Sequence, residues 1–182
     1  NVFVNMQTSH GVLFSNTGWD LTMKNNIIVN PMTYTAEISA HYYTWAAVHA
    51  VPMFGEKGLL RKRLLQEVNI LEPPYSTRYP ELKDYLNPIL EGKEWEGMRS
   101  KRNLVADNVI VGSKEQPVHL LGGQYAVCED RNNLVISSDP GFVDFKNGNF
   151  QLRSDAQVFK MIPHFKPIPF DKMGLYADEF RK

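Results

Sequence analysis

Between Tyr34 and Trp45 the chain packs several side chains able to do chemistry into a short run: Tyr34, Glu37, His41, Tyr42, Tyr43 and Trp45. Glu37 brings a carboxylic acid and His41 an imidazole, two groups that give and take protons at physiological pH. The aromatic faces of Tyr34, Tyr42, Tyr43 and Trp45 can lie flat on the apolar side of a sugar ring while their polar tips stay wet. This marks Glu37 and His41 as catalytic candidates and the four aromatic residues as substrate-binding candidates. The same aromatics would also serve to pack helices onto a sheet, and the sequence leaves both roles open.

Other reactive residues are less organised. His10, His49, His119 and His164 are scattered, and none has metal-ligand spacing to another His or to the lone Cys128, so no metal or cofactor is expected. Glu129 and Asp130 are adjacent in "CEDRNN", but calcium takes about six to eight oxygens, and two neighbours in a turn do not supply them. Cys128 reads as a thiol packed in the fold. Gly122-Gly123 reads as a turn, not as a phosphate cradle. Lys+Arg and Asp+Glu both number 20, giving a formal net charge of zero, so nothing suggests a nucleic-acid surface. No apolar run reaches the roughly 18 residues of a membrane span.

The elements that must position these groups are announced by a repeated phrase. "NVFVN" at residues 1–5 returns as "NIIVN" (26–30), "NVIVG" (108–112) and "NLVIS" (133–137). Asn1 to Asn26 is 25 residues, Asn108 to Asn133 is again 25, and Asn26 to Asn108 is 82, an excess of 57. A fixed period of this size marks a stacked array. Each unit divides into three short extended runs separated by turn residues: Val2–Val4, Val12–Phe14 and Leu21–Met23, then Val109–Val111, Val118–Leu121 and Tyr125–Cys128. The expected fold is therefore an all-β solenoid, a parallel β-helix of about 25 residues per coil. The phrase's Asn would take the left-handed backbone at a sharp corner, and equivalent amides would stack in a solvated ladder. Its flanking apolar residues would point into a narrow core. Asn25, Asp107 and Asn132 would form a second polar row, which leaves Asp107 a poor catalytic candidate.

Residues 31–102 carry the excess. "EKGLLRKRLLQEVNIL" (56–71) sets Leu60, Leu64, Val68 and Leu71 on one helical stripe with Arg61-Lys62-Arg63 on its wet face, stopped by Pro73-Pro74. "PELKDYL" predicts a second helix with Pro80 at its first position. Asn147-Gly148 predicts a hairpin, and the Pro-rich, aromatic remainder of 139–182 reads as a tail that caps an open end. The chain begins without Met and inside a strand-like phrase. The expectation is that further coils of the same protein, or a partner chain, stack against residues 1–25.

Four pieces occur in order: "PPYSTRYPEL" (73–82), "RNLVADNVIVG" (102–112), "DPGFVD" with "NGNFQL" (139–152), and "KPIPFDKMGLY" (166–176). Together they resemble the carboxyl-terminal half of bacterial right-handed parallel β-helix proteins, nearest the glycoside hydrolase family 141 type, across essentially the whole chain. The resemblance implies a right-handed helix and a secreted, periplasmic or cell-surface protein acting on plant or host polysaccharide. Most glycoside hydrolases use two carboxylates, about 5–5.5 Å apart for retention or roughly 6.5–9.5 Å for inversion. The sequence pairs Glu37 with no second acid. Where such proteins carry V-D-A-R-G-x-G-W-A, this chain reads "ISAHYYTWA" (38–46). Ala40, Trp45 and Ala46 match; Ser39 replaces Asp, His41 replaces Arg, and Tyr42 and Thr44 replace glycines. The chemistry that Asp and Arg would supply is altered here or missing. A polysaccharide lyase and a non-catalytic glycan-binding or structural protein remain as alternatives.

Overall fold

A computed structural model describes residues 1–40 and 45–173, the side chains of 45–47, 98 and 124 excepted. Its strands are short, and their order follows the repeated phrase. β1 (Val2–Val4), β2 (Leu13–Asn16), β3 (Thr22–Lys24), β4 (Ile27–Val29) and β5 (Ala36–Ser39) come first. A helical stretch follows: α1 (Trp45–Phe54), α2 (Leu59–Lys62) running into a π-turn at Arg63–Glu67, α3 (Tyr75–Arg78) and α4 (Leu82–Leu90). Then come β6 (Ser100–Ala106), β7 (Val109–Val111), β8 (Val118–Leu121), β9 (Ala126–Arg131) and β10 (Leu134–Ile136). β11 (Phe142–Asp144), β12 (Asn149–Leu152) and α5 (Val158–Met161) follow.

Three small sheets are parallel, ordered β1-β4-β7-β10, β2-β5-β8 and β3-β6-β9. Val2 pairs with Ile27, Ile27 with Val109, and Val109 with Leu134, so the strands meet at the offsets by which the phrase recurs. The fourth sheet is the antiparallel pair β11-β12, closed where Gly148 takes φ 77° and where Asp144 accepts hydrogen bonds from the backbone N–H and the side-chain amide of Asn147.

The expected all-β solenoid, a right-handed parallel β-helix, is corrected by this mixture. Among the described residues, several short sheets, parallel and antiparallel, stand beside five α-helices. The expectation failed because it treated everything off the 25-residue period as an appendage to one β core. The helices instead bury a core of their own, in which Ala50, Phe54, Ile70, Leu86 and Ile89 are all nearly inaccessible. The boundaries of the expected helices also moved. Leu60, Leu64 and Leu71 join that core, but the helix ends at the π-turn and leaves Val68 exposed. α4 starts at Leu82, two residues after Pro80, and α1 carried no recognised signal.

The phrase itself is used differently from expectation. The middle residues Ile28 and Ile110 point between the sheets, against Met23, Ala36, Ile38, Val105 and Val118. The flanking residues Ile27, Val29, Val109 and Val111 face the other way and are covered by Phe142, Val158, Ile162 and Phe165. The tail therefore lies along a sheet face. Asn25 fixes it by exchanging hydrogen bonds with the backbone of Lys166.

The amides do form a ladder, and its two middle rungs, Asn26 and Asn108, are buried. Asn1 Nδ2 donates to Asn26 Oδ1 (3.1 Å), Asn26 Nδ2 to Asn108 Oδ1 (2.9 Å), and Asn108 Nδ2 to Asn133 Oδ1 (2.8 Å). Asn108 is 0% exposed. The left-handed corners fall on the neighbouring row, Asn25 (φ 58°), Asp107 (φ 51°) and Asn132 (φ 54°), and on the residues that close the phrase, Asn5 (φ 51°), Asn30 (φ 48°) and Gly112 (φ 75°). Asn and Asp tolerate that region because their short side chains hydrogen-bond locally.

Candidate functional site

β5 is the central strand of its sheet, and its register decides which side chains meet. Glu37 pairs with Phe14 on β2 and with His119 on β8. Side chains alternate across a strand. Ala36, Ile38 and Val118 face the interior cluster, so Phe14, Glu37 and His119 share the opposite face. One turn upstream of β2, Gly11 takes φ +89°, and a Cβ there would come within 3.1 Å of the Glu37 nitrogen and the Tyr34 oxygen. Only glycine allows the 8–11 loop to settle so closely on the 33–35 loop. Hydrogen bonds from the Gly11 N–H to Thr33 Oγ1 and from Thr33 Oγ1 to the Thr8 carbonyl tie the two loops together. That seat brings His10 over Glu37.

The result is one carboxylate between two imidazoles. Glu37 Oε1 lies 3.2 Å from His10 Nδ1, and Glu37 Oε2 lies 3.2 Å from His119 Nδ1. The Glu37 side chain is 5% exposed, against 59% for His10 and 32% for His119. Each imidazole meets the carboxylate through Nδ1; with Glu37 ionised, and so only an acceptor, Nδ1 carries the hydrogen and Nε2 is the nitrogen left to exchange a proton. A buried carboxylate needs such partners, and the rings gain a fixed orientation from it. Tyr34 stacks on His119 with ring centroids 4.2 Å apart and planes 21° apart. Phe14 leans on His10 at 5.0 Å. Ser39 lies two residues along from Glu37 on the same face, and its buried hydroxyl finds no hydrogen-bond partner among the described residues.

Of the residues expected from sequence, Tyr34 and Glu37 are brought together here. His41, Tyr42 and Tyr43 lie outside the described residues, and Trp45 is described only as the first residue of α1. His10 and His119 are what the sequence reading passed over. The signal was available: Glu37 to His119 is 82 residues, the same offset as Asn26 to Asn108. A search for contiguous metal spacing could not see it. Among the described residues no group of three or more His, Cys, Asp or Glu is arranged to hold a metal ion.

No protein-family model, curated protein or solved structure matches the chain. No helix among the described residues is long and apolar enough to cross a membrane.

Proposed function

We propose that the chain is part of an extracytoplasmic carbohydrate-active protein, a glycoside hydrolase of plant or host polysaccharide, in which His10, Glu37 and His119 carry out acid–base catalysis. The observation that carries this reading is one buried carboxylate, Glu37, hydrogen-bonded to two more exposed imidazoles. Glu37's partners here are imidazoles, so the acid/base pair is His and His, poised by one carboxylate, in place of two acids. With one extra proton in the group, one ring is an imidazolium and the other is neutral. The imidazolium Nε2–H gives its proton to the glycosidic oxygen as the C–O bond breaks. The neutral Nε2 takes a proton from the water that attacks the anomeric carbon. Proton count is conserved, and the two rings exchange roles. Tyr34 and Phe14 offer apolar faces beside the rings on which the sugar can lie. From the sequence, His41, Tyr42, Tyr43 and Trp45 remain proposed contributors to the same site. The unpaired edges of β1, β2 and β3 offer a place for further strands of the same protein or for a partner chain.

The test is release of reducing ends from a panel of plant and mucin glycans by the full protein, beside Glu37→Gln and His119→Ala. General acid–base catalysis contributes about 10²–10⁴-fold, and losses of that order are expected. No release from any glycan, or full activity in both variants, would sink the reading. A second reading is eliminative cleavage of an anionic glycan. It is favoured by the imidazoles, since elimination needs one strong base and no carboxylate pair. An ultraviolet-absorbing unsaturated product would identify it.

A further inference from the structure

Between the helices and the third sheet lies a cavity of about 560 Å³. Trp19, Tyr79, Leu82 and Tyr85 supply its apolar walls, and Asp20 and Arg102 stand in its lining with Glu81. Tyr85 is a fixed wall. Its ring meets Trp19 edge-on at 4.8 Å and Phe54 at 5.9 Å, its hydroxyl donates to the Gly97 carbonyl, and burial pushes its phenol up to about 12. Trp19 is pinned by its indole N–H on the Arg99 carbonyl at 2.7 Å. Tyr79 differs: it lines the cavity yet is 45% exposed, with the Arg78 guanidinium over its ring at 5.5 Å.

The charged pair is held with unusual care. Arg102 Nε and Nη2 reach the two carboxylate oxygens of Asp20 at 2.6 and 2.7 Å, while its guanidinium lies over the Trp19 ring at 5.1 Å. Both residues take the left-handed backbone, Asp20 at φ 58° and Arg102 at φ 54°. For a long side chain such as Arg that conformation is costly and concentrates at functional positions. The pairing of β6 with β9 shifts at this point, between Ser100 and Asn103. The Arg102 side chain is itself 38% exposed.

We propose that this cavity binds one neutral pyranose ring of a glycan, at a site separate from Glu37; the inference rests on the carbohydrate reading above for its ligand class. A bidentate carboxylate–guanidinium pair offers acceptors and donors side by side, the pattern that adjacent sugar hydroxyls match. Asp20, Asp84 and Glu81 already oppose Arg102, so an added negative charge is unwelcome and a neutral ring fits. Tyr79 supplies the stacking face.

Tryptophan fluorescence and calorimetric titration with cellohexaose, xylohexaose and mannohexaose test it, with oligogalacturonate as the charged probe. At least one neutral probe binds the full protein. Tyr79→Ala and Arg102→Lys each weaken it about tenfold, as expected for a lost stacking or bidentate contact. His119→Ala leaves this affinity unchanged even where it abolishes turnover, which separates failure of the cavity from failure of the Glu37 site. Circular dichroism confirms that the variants fold, and Tyr79→Phe, which keeps the ring, restores binding. Binding by none of the neutral probes, preference for oligogalacturonate, or affinity indifferent to both variants would overturn the proposal.

Discussion

His119 lies directly across from Glu37 in the parallel pairing of β8 with β5, its Nδ1 3.2 Å from Oε2. Because that contact is set by strand register, it does not depend on a flexible loop. His10 reaches the same carboxylate from a loop, and the two imidazoles are therefore not equivalent. His119→Ala is expected to lower turnover by about 10²–10⁴-fold, with His10→Ala costing less because its ring is the more exposed. His119→Gln keeps a hydrogen bond to Glu37 but no base, so it should fold like the wild type and remain inactive. Turnover assays alongside urea unfolding separate the two effects.

Asp107 predicts the acid limb of stability. Burial alone would push its carboxyl up. Hydrogen bonds from Lys24 (3.1 Å) and Asn132, with the charges of Lys24 and His164, outweigh that and hold it below the ordinary carboxylate range. A carboxyl lowered in the folded state stabilises fully above its unfolded value, about 3.9, and loses that contribution as pH falls through the folded value. Asp107→Asn tolerates the same left-handed corner but loses the ion pair. It should be less stable near neutrality by about 1–3 kcal/mol, and the two unfolding curves should converge below pH about 4.

Asn108 sits at the centre of the amide ladder. It accepts from the Asn26 backbone and side chain and donates to Asn133 and to the Met23 carbonyl. Asn108→Ala strands several buried partners, each worth about 1–3 kcal/mol when left unsatisfied. A fall in the urea midpoint with an unchanged slope is the expected result. Asn133→Ala, at a more exposed rung, should cost less.

The tail is held by apolar contact. Phe142 and Phe165 are almost fully buried against the flanking residues of β4 and β7. Phe165→Ala is expected to cost about 3–5 kcal/mol and to raise amide exchange in α5 and along β4 and β7. The helical core around Phe54 and Ile89 should keep its protection, since its cluster is separate.

Cys128 should be a poor nucleophile. Burial, with the nearby Asp130 and Glu129 charges, raises its thiol to about 11 against a hydrogen bond from the Val105 backbone that lowers it. Its thiolate at pH 7 is then about a hundredfold scarcer than for an ordinary Cys. Iodoacetamide labelling should be slow at neutral pH and accelerate steeply toward pH 11.

Much of the strand pairing was legible because the 25- and 82-residue offsets are written in the phrase. The hairpin was legible because Asn147-Gly148 has one cheap conformation in that setting. The fold class was not, because periodicity reports repeating units and says nothing about cores built off the period, such as that of Phe54 and Leu86. The direction of Ile27 and Val29 was also illegible. An apolar run has two possible inner faces, and only the position of Phe142 and Phe165 shows which one the tail takes. At the candidate site, Tyr34 and Glu37 stood out by local density. His119 was visible only once Glu37 was advanced by the 82-residue offset.

The amide ladder has a direction. The backbone N–H groups of Asn26 and Asn108 point at the Oδ1 atoms of Asn108 and Asn133, which forces each carboxamide to face the same way. The last Nδ2, on Asn133, ends on the carboxylate of Asp130 at 2.6 Å. The row is thus a polar filament of aligned dipoles, terminated by an anion at one pole and presenting an oxygen, Asn1 Oδ1, at the other. A strand placed on the β1 edge would have to meet that pole with a donor. An Asn in matching register would extend the filament; an Asp there would repel it.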